Sequence, residues 1–229
     1  MRSFRWRTGF VMAGASQTKT AADSKQLVFI IDDDADVREG LEALLQSVSL
    51  PCEVFSSTRE FLNRKPQNTV SCLVLDVRLP GPSGLDFQAE LARANIDIPI
   101  IFITGHGDIP MTVRAMKAGA VEFLTKPVRE QDLLDAIRVA LERDRVRREK
   151  DDRLSELRTR FETLSERERT VLSLVTSGML NKQMAGQMNL SEVTVKVHRH
   201  NLMRKLGAKS LPDLVKMAEA LQVGGKDGA

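Results

Sequence analysis

Four apolar runs in the first half of the sequence end on residues able to do chemistry. The run at 27–31 leads into Asp32-Asp33-Asp34, the run at 70–75 into Asp76, the run at 98–103 into Thr104, and the run at 120–124 into Thr125-Lys126-Pro127. Carboxylates gathered in one place repel one another, and the usual resolutions are a raised pKa or a bound cation. Oxygen donors without Cys or His beside them favour Mg2+ or a similarly hard ion. An ammonium and a hydroxyl on the same edge suit the oxygens of a phosphoryl group. A carboxylate beside such a cation and Lys126 is an arrangement that can take up phosphate as an acyl phosphate. Any one of these residues alone is equally well explained as a solvated loop acid or a helix-end charge; all four run ends together are not.

These residues meet only if the apolar runs are strands of one sheet. From Leu27 onward, short apolar runs alternate with amphipathic stretches. The run at 27–31 precedes a helical pattern carrying Val37, Leu41, Leu44, Leu45 and Val48, and the run at 52–55 precedes a short helix that Ser57 and Glu60 can open. The runs at 70–75, 98–103 and 120–124 precede helices around Leu85 to Leu91, around Met111 to Met116, and from Glu130 into the 140s. Five such βα units imply an α/β doubly wound fold, a parallel five-stranded sheet with helices on both faces. Ligand chemistry in such sheets gathers at the carboxyl ends of the strands, where the acids, the hydroxyl and the lysine fall.

At 229 residues the chain is comfortable for two domains. The net charge of +3 conceals an asymmetry: residues 27–142 carry 11 Lys/Arg and 18 Asp/Glu (−7), whereas 143–221 carry 17 and 11 (+6). An acidic unit followed by a basic one implies different partners, the second suited to nucleic acid. No apolar run approaches the ~18–20 residues of a membrane span, so no membrane partner is expected. Cys52 and Cys72 have no metal-ligand spacing and read as small core residues of a cytoplasmic protein. The basic N-terminus is interrupted by Gly9 and Gly14, which argues against a secretory signal. Residues 1–26 are expected to be a flexible tail, or to include an upstream start with Met12 as the real one, and 222–229 a disordered tail.

The stretches "IIDDDADVR", "LVLDVRLPGPSG", "FITGHG" and "FLTKP" resemble, in order and spacing, the motifs of the response-regulator receiver domain over residues 27 to about 142. "ITGHGDIPMTVRAMKAGAVEFLTKP" is similar to the FixJ-type branch. The resemblance implies that Asp76 is the phosphate acceptor, and that Asp32 and Asp33 form the acidic pair at an Mg2+ site. Asp33 would coordinate most directly, with Asp76 and the Arg78 backbone carbonyl as further ligands. It also implies that Thr104 and Lys126 contact the phosphoryl oxygens, that Phe123 is the switch aromatic, and that Lys126–Pro127 is a cis peptide. Leu79 stands where Met is frequent and Val128 where Phe is frequent, which bears on packing rather than on the chemistry. An aspartate-nucleophile phosphohydrolase of the haloacid-dehalogenase type would need a second acid two residues after the nucleophile. Arg78 occupies that position, and no cap-like insertion is present.

Residues 143–160 are almost entirely charged and read as a solvated helical linker supported by i,i+4 ion pairs. Beyond them, Ser165 and Glu168 form a capping-box pattern and Gly178 ends that helix. A short helix near Lys182–Met188, a tight turn and a helix capped by Ser191 make a helix-turn-helix, and a fourth helix follows from about Pro212 to Leu221. In the third helix Val195, His198, Leu202 and Leu206 form a core stripe, while Val193, Lys196, Val197, His200 and Arg204 lie opposite. From Ser191 to Lys209 there are five Lys/Arg and one Asp/Glu, a face suited to the DNA major groove. Lys196, Val197 and His200 are the candidates for base edges, and Arg199, Arg204 and Lys209 for phosphates.

Residues 161–221, with "LSERE", "NK", "TVKVHR" and "KL", resemble the LuxR-type DNA-binding domain. The combination resembles FixJ-type two-component transcriptional regulators. It implies a non-enzymatic, phospho-accepting regulator that assists its own Mg2+-dependent phosphotransfer and dephosphorylation. Its partners would be a sensor histidine kinase, double-stranded promoter DNA, RNA polymerase and, on phosphorylation, a second copy of itself. The alternative is a constitutive regulator whose receiver only dimerises, against which the intact acid–Thr–Lys set argues.

Overall fold

The computed structural model describes residues 26–105 and 107–223. The expected N-terminal tail and Met12 lie outside them, except that Gln26 already opens the first strand. The expected C-terminal tail from 224 onward is likewise outside them, whereas Val223 packs against the C-terminal core. Strands β1 (Gln26–Ile31), β2 (Cys52–Phe55), β3 (Val70–Asp76), β4 (Ile100–Thr104) and β5 (Glu122–Thr125) form one parallel sheet in the order β2-β1-β3-β4-β5. Helices α1 (Ala35–Ser47), α2 (Thr58–Asn63), α3 (Gly84–Arg93) and α4 (Ile109–Lys117) separate them, and α5 (Glu130–Glu162) leaves the last strand.

The central strands are apolar without interruption because both faces are covered. Leu27, Phe29, Ile31, Leu73, Leu75 and Phe102 point into one core with Phe61 of α2, Phe87 and Leu91 of α3 and Ala115 of α4. Their neighbours Val28, Ile30, Cys72, Val74, Ile101 and Ile103 point to the other face, against Leu45 of α1 and Leu133, Ile137 and Leu141 of α5. Burial of the Cys72 thiol raises its pKa, as expected of an inert core cysteine. The chain leaves β1 first toward β2 and later returns to its other side as β3. The carboxyl ends of β1 and β3 therefore flank the switch point where a doubly wound sheet opens a crevice.

The C-terminal unit comprises α6 (Glu166–Thr176), α7 (Asn181–Met188), α8 (Glu192–Leu206) and α9 (Leu211–Ala220) around Val171, Leu172, Met184, Val195, Leu202, Leu206 and Leu214. Helix α5 runs for 33 residues, about 50 Å at 1.5 Å per residue, and joins the two units. The expected helical linker is thus helical, but it is not solvated throughout. Asp144 is fully buried, and Leu157 and Phe161 pack against the C-terminal core. The reason lies in the stripe Leu133, Ile137, Ala140, Leu141: Asp144 is its next position, so it too faces the sheet.

Candidate phosphoryl site and DNA-binding face

Ile31 pairs with Leu75, so Asp32 and Asp76 leave neighbouring strands side by side. Asp32 is wholly buried; its Oδ1 accepts the Asp34 amide at 3.0 Å and its Oδ2 accepts Lys126 Nζ at 2.6 Å. The same Nζ donates to Asp76 Oδ2 at 2.9 Å, and Asp76 Oδ1 accepts the Arg78 amide at 3.2 Å. Lys126 is held by its backbone amide, which donates to the Thr104 carbonyl at 2.7 Å, and it precedes Pro127 through the expected cis peptide. Thr104, buried, lies one residue beyond Ile103, the register partner of Asp76. The expected set Asp32, Asp76, Thr104 and Lys126 therefore converges on one edge.

Burial pushes the Asp32 carboxyl up, against the opposing pull of Lys126. Burial works to lower the Lys126 pKa, but its bonds to Asp32 and Asp76 outweigh that and hold it raised, so the amine stays protonated. Carboxylate oxygens of Asp32, Asp33 and Asp76 all lie within 4.8 Å of one another, Asp33 on the exposed side. Three carboxylates face one ammonium, and the surplus negative charge is carried on oxygen donors alone. That donor set fits a hard divalent cation. The third acid of the run serves the backbone instead, for Asp34 caps α1, its side chain accepting the amides of Asp36 and Val37.

The loop after Asp76 is shaped by close approach. Gly81 has φ 97°, and a side chain at Gly84 would run into the Asp76 carbonyl and the Val77 Cα, so α3 can begin against the end of β3 only with glycine there. Phe123 is half-buried, its ring 6.1 Å from that of Phe102. A Cβ at Gly107 would lie 2.8 Å from the Phe123 ring and 3.3 Å from the Thr104 methyl, so the three positions share one contact point.

In the C-terminal unit, the capping box at Ser165 and Glu168 forms as expected, but Glu168 is also buried and receives Lys205 Nζ at 2.6 Å. Asn189, at φ 53°, makes the tight turn between α7 and α8, and Ser191 caps α8. Val195, Leu202 and Leu206 are buried and His198 is half-buried, as the stripe requires. Val193, Lys196, Val197, His200, Arg204 and Lys209 are exposed. Two of the five basic residues along this stretch are already engaged: Lys205 with Glu168, and the half-buried Arg199, which donates to Asn181 Oδ1 at 3.1 Å.

Sequence reasoning missed a second acid–cation cluster at the opposite end of β3. Asp144 Oδ2 accepts the Ser71 amide at 2.9 Å and Arg148 Nε at 2.6 Å, while its Oδ1 accepts Arg147 Nη2 at 2.6 Å. Arg148 also reaches Asn68 Oδ1 at 2.8 Å. At the far end of the same helix, Arg160 Nη1 donates to the Leu206 carbonyl at 3.2 Å, seating α5 on the last turn of α8.

Residues 28–138 match the response regulator receiver domain, and residues 162–218 match the luxR family of bacterial regulatory proteins. The chain is 55% identical to Nodulation protein W of Bradyrhizobium diazoefficiens over 89% of its length and 90% of that protein. It is 44% identical to the transcriptional regulatory protein FixJ of Rhizobium meliloti over 84% of its length and 95% of that protein. Among solved structures, the response regulator StyR superposes with a TM-score of 0.75 at 50% identity, covering 85% of this chain and 98% of that one. No helix among the described residues is long and apolar enough to cross a membrane. The chain therefore belongs to the two-component response regulators, as a transcriptional regulator built from a receiver domain and a LuxR-type DNA-binding domain.

Proposed function

We propose that Asp76 accepts a phosphoryl group from a sensor histidine kinase and that this controls promoter binding by α8. The observation that carries the reading is the single ammonium of Lys126 bridging Asp32 and Asp76 beside a third carboxylate, Asp33. A carboxylate oxygen of Asp76 attacks phosphorus, the P–N bond to the kinase imidazole breaks, and the ring nitrogen keeps the electron pair and takes a proton. Asp32, Asp33, Asp76 and the Arg78 carbonyl would hold Mg2+, which supplies charge neutralisation to the transferring oxygens. Lys126 and the Thr104 hydroxyl bind the phosphoryl oxygens once they arrive.

Drawing Thr104 toward the phosphoryl group empties the contact it shares with Gly107 and Phe123, letting the ring turn inward. The surface of α4, β5 and α5 changes with it, and two copies pair there. Two α8 helices then meet a roughly two-fold symmetric operator, with Lys196, Val197 and His200 at base edges and Arg199, Arg204 and Lys209 toward phosphates. In this reading Arg199 reaches a phosphate while braced on Asn181. The protein acts in the cytoplasm and activates through RNA polymerase. Mass spectrometry after incubation with acetyl phosphate and Mg2+ tests the acceptor. One phosphoryl group on the native chain and none on Asp76→Asn is expected; no label on the native chain would favour a constitutive regulator that uses its receiver only to dimerise.

A further inference from the structure

The recognition helix carries apolar side chains that its own fold does not use. Val193 is 70% exposed and Val197, one turn later, is 53% exposed, while the core beneath α8 is closed by the fully buried Val195, Leu202 and Leu206. Packing therefore gives no reason for valine at 193. Around it, the same face presents Lys196, His200 and Arg204, all exposed. An apolar spot set between the cations Lys196 and Arg204 fits a polyanion that offers a methyl group. Of the four bases only thymine shows one in the major groove, its C5-methyl.

We infer that Val193 is a specificity-determining residue that packs on a thymine C5-methyl, with Val197 extending the apolar strip along the groove. The inference rests on the proposed DNA-binding role of α8 and adds the base it selects. Val193 and Val197 are separated by about 6 Å along the helix, close to two base-pair steps of ~3.4 Å. The half-site should therefore carry thymine where the first turn of α8 enters. Val193→Ala is a clean probe, since it removes two methyls from an exposed position and leaves a better helix former.

The full chain, treated with acetyl phosphate, is used to select sites from a pool of random duplexes. Dissociation constants are then measured for the selected site with each thymine replaced in turn by deoxyuridine, which deletes the methyl alone. One replacement should weaken the native chain about fourfold, the change expected for ~0.8 kcal/mol per buried methyl-sized group. Val193→Ala should bind the thymine site about as weakly and no longer distinguish it from deoxyuridine there. Full thymine discrimination in Val193→Ala, or no thymine whose methyl matters, would overturn the inference while leaving DNA binding intact. Selection of no sequence at all would instead remove the DNA-binding role, and the inference with it.

Discussion

The two ends of β3 each hold buried carboxylate, and they differ in charge balance. At the carboxyl end, the ammonium of Lys126 bridges Asp32 and Asp76, and Asp33 adds a third carboxylate beside them. At the amino end, Asp144 alone receives two guanidiniums and a backbone amide. The first cluster keeps a surplus of negative oxygen and an exposed flank at Asp33, so it has both the charge and the opening to take a cation and a phosphoryl group. The second has each carboxylate oxygen occupied from within the chain. It ties the long helix α5 to the sheet and leaves nothing for a ligand. Burial alone does not equip an acid to take a ligand; carboxylate oxygen left without a cation does.

The contrast is most easily broken at Asp144. Asp144→Asn leaves Arg147 and Arg148 half-buried without their carboxylate, and urea unfolding of the full chain should show a loss of about 3 kcal/mol, as for other broken buried pairs. A loss indistinguishable from zero would mean that this cluster does not tie α5 to the sheet. A balanced cluster of intermediate size sits in the C-terminal unit, where Glu168 meets Lys205. Burial works to raise the Glu168 pKa, but bonds from Lys205 and from the Ser165 amide and hydroxyl outweigh it and hold it below the usual glutamate range.

A depressed folded-state pKa contributes stability that is present above the unfolded value and lost as pH falls through the folded one. Glu168→Gln should therefore cost about 2 kcal/mol at neutral pH, the share of a hydrogen bond to a charged group, and nothing in strong acid. Parallel pH–stability curves for the two proteins would contradict this. The smallest effect belongs to the surplus end. Asp33→Asn removes an exposed acid from a repelling group, and unfolding in metal-free buffer should move by no more than about 0.5 kcal/mol. A larger loss would mean that Asp33 is structural.

The convergence at the carboxyl end was legible in sequence because parallel strands deliver their last residues to a common edge, so Asp32, Asp76, Thr104 and Lys126 could be placed from apolar runs alone. The helix-turn-helix was legible from its stripe and its caps. Asp144 was hidden inside "ERDRVRREKDDR", where every acid has a basic neighbour a turn away and all look solvated. The stripe from Leu133 to Leu141 pointed to it, but its partner Ser71, and Asn68 that holds Arg148, lie in a different strand and loop, beyond any local pattern. Lys205 looks like part of a DNA face for the same reason, since its partner Glu168 is 37 residues away in sequence.

Phosphoryl incorporation from acetyl phosphate and Mg2+, compared among the native chain, Asp33→Asn and Asp144→Asn at a temperature where all three are folded, tests the central contrast directly. Asp144→Asn should label on Asp76 like the native chain, while Asp33→Asn should lose most of its labelling despite its unchanged stability. Equal labelling of native chain and Asp33→Asn, or loss of labelling in folded Asp144→Asn, would contradict the division between an end of β3 with surplus carboxylate and one whose carboxylate is fully occupied.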